Sequence, residues 1–291
     1  MTEISSRTRI FREMCLKADT ERDKGLTTPE DIVRFDDITY GEDSKWQSLD
    51  VYRPKSAEGK KLPVIVSIHG GGWVYGNKEI YQYYCMNLAQ RGFAVVNFTY
   101  RLAPENKFPA SIQDTNAVFA WVKDNADEYG FDLDNIFAVG DSAGAFGLAV
   151  YACILTNKEL AAGFAKWLTP ADVRLKGVGL NCGLYTSRLK DESLDEYLPD
   201  EGREEALDLL DSVTHITKDF PPAYVFTSNG DFLLDAPAIL IEQLEKHGVP
   251  YRLKVYGDES TKLFHVFHCD IKTEAAKEAN DDECGFFKAL M

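Results

Sequence analysis

Gly140-Asp141-Ser142-Ala143-Gly144 follows the apolar run Ile136-Phe137-Ala138-Val139 and opens a helical stretch that reaches Leu155. Strand, tight turn, then helix is the setting in which a G-x-S-x-G pentapeptide presents a serine as a nucleophile elbow. Gly140 and Gly144 flank a turn with no room for side chains. Composition alone would place such a pentapeptide in a chain of this length roughly one time in ten, so a second motif is needed. His69-Gly70-Gly71-Gly72-Trp73 supplies it, at the end of the run Pro63-Val64-Ile65-Val66-Ser67-Ile68. Glycines directly after a strand let backbone N–H groups approach a developing oxyanion, joined by the N–H of Ala143 after the serine. The two stretches together point to acyl transfer by an activated serine.

The rest of the chain repeats the same alternation. Phe93–Phe98, Val178–Asn181, Ala223–Phe226 and Tyr251–Tyr256 read as further strands. Ile80–Arg91, Pro109–Tyr129, Ala143–Leu155 and Ala238–His247 read as helices, the last stopped by Gly248. Arg34–Tyr40 and Ser48–Tyr52 suggest an antiparallel hairpin around the turn-rich Gly41-Glu42-Asp43-Ser44. Continuous apolar strands between helices predict an α/β fold with a mostly parallel sheet covered on both faces. Residues 1–30 read as a helical arm with an apolar set at Ile10, Phe11, Met14 and Leu16. The stretch from Thr186 to Pro222 breaks the alternation and reads as an inserted helical cap.

The 291 residues, 45% hydrophobic and 27% charged, suit a soluble globular protein. No apolar run is long enough for a membrane span, and the start lacks the pattern of a secretory signal, so a cytoplasmic protein is expected. The six cysteines fall into no metal-binding spacing and are expected as free thiols. A net charge of −15 argues against nucleic acid as a partner. Much of the acid lies between Asp191 and Asp211 and reads as a solvated helix face. The sequence leaves a homo-oligomer open.

A serine hydroxyl needs a base within hydrogen-bond reach and an acid to orient that base. In the chain order nucleophile, acid, base, the histidine follows the last strand, where His265 and His268 both stand. His69, beside the glycines, reads as structural, and His247 ends a helix. The acid belongs after Ala223–Phe226, where Asp231 and Asp235 are candidates. Asp235 precedes a proline and a helical run and reads as an N-cap, which leaves Asp231 to orient the histidine.

Taken together, these residues resemble the hormone-sensitive-lipase-like branch of the α/β-hydrolases, especially its bacterial acetyl-esterase-like members. Beyond His69-Gly70-Gly71-Gly72 with Gly76, the likeness includes Tyr100-Arg101-Leu102-Ala103-Pro104-Glu105, Phe108-Pro109-Ala110 with Asp114, and Asp231-Phe232-Leu233-Leu234-Asp235. The resemblance implies Ser142, Asp231 and His265 as the triad, His265 opening His265-Val266-Phe267 where the family has H-G-F. It implies Gly71, Gly72 and Ala143 as oxyanion donors, no metal and no organic cofactor. Its lid of N-terminal helices plus a late insertion corresponds to residues 1–30 and 186–222. Motif position places Trp73, Tyr75, Asp141, Leu184 and Tyr185 around the substrate.

The expectation is one α/β-hydrolase domain over residues 1–291, with about eight strands and a small helical cap. It would hydrolyse short-chain carboxylic esters, acetyl to butyryl. The cap pieces are small and polar, with no long apolar stretch for a fatty chain or a lipid interface. If the acidic stretch bordered the entrance, it would disfavour anionic esters. An arylformamidase-like amidase uses the same parts and stays open. A non-hydrolytic, ligand-binding member of the fold is disfavoured by the complete triad.

Overall fold

Every apolar run named above is a strand of one sheet. In the computed structural model, which describes residues 4–188 and 192–291, the strands are β1 (Ile32–Thr39), β2 (Ser48–Pro54), β3 (Leu62–Ile68), β4 (Ala94–Phe98), β5 (Phe131–Asp141), β6 (Leu175–Asn181), β7 (Ala223–Ser228) and β8 (Tyr251–Tyr256). Their spatial order is β1-β2-β4-β3-β5-β6-β7-β8. β2 pairs antiparallel with both β1 and β4, and every pairing from β4 to β8 is parallel. This is the eight-stranded, mostly parallel sheet of an α/β-hydrolase.

The helices are α1 (Ser6–Asp23), α2 (Lys78–Ala89), α3 (Ala110–Asp124), α4 (Ala126–Tyr129), α5 (Ala143–Thr156), α6 (Lys158–Phe164), α7 (Glu192–Tyr197), α8 (Arg203–Leu210), α9 (Ser212–His215), α10 (Pro237–His247) and α11 (Glu274–Lys288). Side chains alternate across a strand, so each central strand feeds two cores. Val64, Val66 and Ile68 pack with α3, α5 and α10, while Ile65 packs with α2 and α11. Ala138 and Phe137 divide in the same way on β5. The apolar runs lack a polar alternation because both faces are covered.

Three sequence expectations change. The helix expected over Pro109–Tyr129 breaks at Asn125 into α3 and α4. α11, which the sequence reading leaves out, covers α2's face of the sheet. Asp235 is not a side-chain cap: the cap position of α10 is Ala236, with Pro237 behind it, and no side chain caps the helix. The exposed Asp235 contributes only its carbonyl, which accepts the Ala238 N–H at 3.3 Å.

The topology places the site. β3 lies at the centre, with β4 on one side and β5 on the other. Chain reversal at such a point leaves a crevice beyond the carboxyl ends of the strands. Ile68 pairs with Gly140, so the glycine loop after β3 and the elbow after β5 emerge side by side.

Candidate active site

The elbow is a strained turn. Ser142 has φ 53° and ψ −118°, a backbone conformation that non-glycine residues rarely adopt. It is held from both sides. The Ser142 N–H donates to Asn181 O at 2.9 Å, and Ser142 O accepts the Phe146 N–H at 3.1 Å. A Cβ on Gly144 would collide with the Ile68 carbonyl, so the helix approaches β3 closely only because glycine stands there.

His265 joins the other two residues. Its Nε2 lies 2.9 Å from Ser142 Oγ and its Nδ1 2.8 Å from Asp231 Oδ1. An ionised carboxylate only accepts, so Nδ1 carries the proton and Nε2 is free to accept from the serine. Asp231 also accepts the Leu233 N–H at 2.8 Å and the Thr227 hydroxyl at 3.1 Å. Burial alone would raise the Asp231 carboxyl. The hydrogen bond and charge of His265, with the Leu233 N–H, hold it below the usual carboxylate range. His265 keeps 20% of its side chain exposed while that of Asp231 is fully buried.

His268 does not share this place. It is fully buried and packs edge-on against Tyr84 and Phe226. Burial, with His265 and Arg22 nearby, lowers it to about 3, so it stays neutral. Val266, standing where the family has glycine, takes the left-handed conformation that glycine would take, with φ 51° and ψ 32°.

The glycine loop is fixed by its neighbours. Gly71 and Gly72 have φ of 111° and 58°, and a Cβ on Gly71 would collide with the Tyr75 carbonyl. Among the described residues no protein group accepts the N–H of Gly71, Gly72 or Ala143. Tyr81 donates its hydroxyl to Asp141 Oδ2 at 2.7 Å and accepts the Gly70 N–H at 3.0 Å. Burial raises the Asp141 carboxyl to about 6, with Tyr81 opposing. His69 stacks on Tyr100 at 4.0 Å and donates from Nδ1 to Gly70 O. Burial lowers it to about 4, which suits a neutral structural ring.

Ser142, His265 and the glycines border a cavity of about 510 Å³. Trp73, Tyr75, Asp141 and Leu184 line it. Tyr185 does not. It is fully buried, donating to Leu180 O at 3.0 Å, with its carbonyl bonded to Ser212 Oγ at 2.8 Å. The Tyr185 side chain is thus drawn back onto the end of β6, while Leu184 faces the cavity.

Other wall residues were missed. α1 contributes Phe11, Asp19 and Arg22, and Phe232 lies against the His265 ring at 4.3 Å. Of the apolar set of α1 only Phe11 packs, edge-on against Tyr75, while Ile10, Met14 and Leu16 are exposed, and polar anchors add to its hold. Arg12 donates to Val74 O at 2.6 Å and pairs with Glu105, and Tyr75 donates to Asp19 at 2.7 Å. Such long-range polar pairs leave no periodic trace in sequence.

The stretch 186–222 differs from expectation as well. None of its described residues lines the cavity. Among its described residues, Tyr197 stacks on Trp73 at 5.5 Å, and Glu196 accepts from Ser5 and Thr8 at the start of α1. Asp191 lies outside the described residues, and the acids from Asp195 to Asp211 do not border the cavity.

Comparison with known proteins identifies the family. The BD-FAE family model matches residues 49–237. A probable carboxylic ester hydrolase, LipM, of Mycobacterium tuberculosis is 32% identical over 218 residues, 70% of this chain and 49% of LipM. The chain thus spans about half the length of that relative. An acetyl esterase of Salmonella choleraesuis is 30% identical over 245 residues, 77% of this chain and 71% of the esterase. Among solved structures, an inhibited esterase B from Lactobacillus rhamnosis superposes with a TM-score of 0.90 at 26% identity, covering 98% of this chain and 96% of that one.

Proposed function

The chain belongs to the BD-FAE family, among the ester hydrolases of the hormone-sensitive-lipase-like α/β-hydrolases, and from that premise we propose that it cleaves short-acyl carboxylic esters through Ser142, His265 and Asp231. The observation that carries this reading is the continuous link from Ser142 Oγ through His265 to Asp231, at 2.9 and 2.8 Å. Ser142 attacks the ester carbonyl while His265 Nε2 takes the hydroxyl proton. Asp231 keeps the ring in the required tautomer and stabilises the imidazolium. The N–H groups of Gly71, Gly72 and Ala143 receive the oxyanion. His265 then protonates the leaving alcohol, and water repeats the sequence on the acyl-enzyme.

Short acyl groups are favoured by the walls. Trp73 stands beside the glycine loop, held by Tyr197 on one face and by an edge contact with Phe146. A wall so supported does not yield to a long chain without repacking the core. The Salmonella relative is an acetyl esterase, and esterase B has been solved with a tributyrin phosphonate.

A panel of p-nitrophenyl esters from acetyl to lauroyl tests the reading, with Ser142→Ala as the control. The highest kcat/KM is expected between acetyl and butyryl. Loss of the serine is expected to remove on the order of 10⁴-fold or more of the rate. An optimum at octanoyl or beyond refutes the short-acyl reading. A Ser142→Ala enzyme retaining more than a few per cent of the activity refutes the triad.

A further inference from the structure

Cys182 follows β6 directly, in the left-handed region with φ 48°, and is fully buried. Its thiol donates to the Asp231 carboxyl and helps to hold that group down, but takes no part in the steps above. Yet Cys182, Asp231 and His265 each offer a donor atom, and the three atoms lie within 4.8 Å of one another. We propose that these residues form a binding site for a borderline-soft divalent cation, zinc above all, whose occupancy switches the hydrolase off.

The donor chemistry selects the ion. Thiolate, imidazole and carboxylate are the ligand types zinc accepts, and three of them with a fourth position open to water make an ordinary open zinc site. Tetrahedral bonds of about 2.0–2.3 Å require ligand atoms roughly 3.5 Å apart, so small side-chain rotations close the site. Magnesium prefers an all-oxygen octahedron and gains nothing from the sulfur. Entry is through the substrate cavity, where His265 and Val266 form part of the wall.

Occupancy and catalysis exclude each other. Zinc takes the lone pairs of Cys182 Sγ, His265 Nδ1 and an Asp231 oxygen. The thiol proton leaves to solvent. The neutral imidazole keeps one proton, which moves from Nδ1 to Nε2. Nε2 then has no lone pair for the Ser142 proton, and Asp231 is drawn from its place as the orienting acid. Binding stands on the geometry alone; the inhibition rests on the triad proposed above.

A second group, Asp141, His268 and Cys269, also brings its donor atoms within 4.8 Å, but all three residues are buried. It provides the competing outcome. Wild type, Cys182→Ser, Cys182→Ala and Cys269→Ser are dialysed against ZnCl₂ and the retained metal measured. In parallel, p-nitrophenyl acetate hydrolysis is titrated with ZnCl₂ and, separately, with MgCl₂. Zinc should inhibit the wild type reversibly, with recovery on adding EDTA. Both Cys182 variants should retain one zinc fewer per chain and require at least about tenfold more zinc for half inhibition, the scale on which even outer-shell partners affect metal sites. Cys269→Ser should behave as wild type, and magnesium should not inhibit. Unchanged zinc binding and inhibition in both Cys182 variants overturns the site. So does a shift confined to Cys269→Ser, or equal inhibition by magnesium. If the chain hydrolyses no ester, the dialysis still reads the site; if dialysis fails while hydrolysis holds, only this inference falls.

Discussion

Glu283→Gln should make the protein more resistant to unfolding at alkaline pH while changing little at acid pH. Glu283 lies on α11, fully buried against β6, where its carboxyl occupies the space that a Cβ on Gly179 would need. The Tyr84 hydroxyl reaches one oxygen at a long 3.5 Å, and among the described residues Oε1 makes no well-formed hydrogen bond, with the Asn181 side chain nearby. Burial therefore raises the group from 4.5 to about 7, with Asn181 and Tyr84 only partly opposing. A folded-state value above the unfolded one means that the native state binds the extra proton between those limits. The contribution to stability is whole below about 4.5 and is lost as the pH rises through about 7. Ionising a carboxyl so displaced lowers native stability by on the order of 3 kcal/mol. Glutamine keeps the shape and cannot ionise. Urea unfolding of both proteins at about pH 5 and about pH 8 isolates the effect, because titrating groups that do not interact with Glu283 are common to both and cancel in the difference. The variant should gain about 2.5 kcal/mol on wild type between the two conditions, because part of the unfolded-state titration already lies below pH 5. Parallel stability profiles would show that Glu283 is ionised at little cost and refute the reasoning.

Other substitutions probe the site directly. His265→Ala should be as inactive as Ser142→Ala, whereas His268→Ala should lower thermal stability and retain most of kcat; an inactive, well-folded His268 variant would reassign the base. Asp231→Asn should reduce kcat by about 10⁴-fold, as loss of the correct tautomer does in a serine protease. Steady-state kinetics within tenfold of wild type would remove Asp231 from the mechanism. Val266→Gly should raise the unfolding midpoint, because a left-handed L-residue is strained by about 1–2 kcal/mol while glycine's added unfolded-state freedom offsets about 0.5–1 kcal/mol. A lowered midpoint would mean that packing of the valine side chain outweighs the backbone strain.

The strands and the elbow were legible because they obey local rules. Buried parallel strands must be apolar on both faces, and a serine presented at a tight strand–helix turn needs glycines around it. Chain order and flanking residues singled out Ser142 and Asp231 but left His265 and His268 open; the family resemblance preferred His265, and the structure brings the side chains of Ser142, His265 and Asp231 together. Asp235 misled because a proline-initiated helix looks capped in sequence whether or not a side chain bonds to its first N–H groups. α11 was missed because its buried face includes Asn280 and Glu283, which break the apolar period that announces a helix.

By itself, the sequence determined the α/β alternation, the order of the strands along the chain, and the residue types at the proposed nucleophile, base and acid. These depend on spacings of a few residues, over which side-chain direction follows from backbone period. Only the tertiary structure decided that α1, and none of the described residues of the 186–222 stretch, walls the cavity, that Tyr185 turns inward, and that Cys182 stands beside Asp231 and His265. Those facts arise where strands far apart in sequence end at one edge of the sheet. Polar contacts such as Arg12 with Glu105 then select the arrangement, and no local pattern encodes which distant partner a side chain will meet.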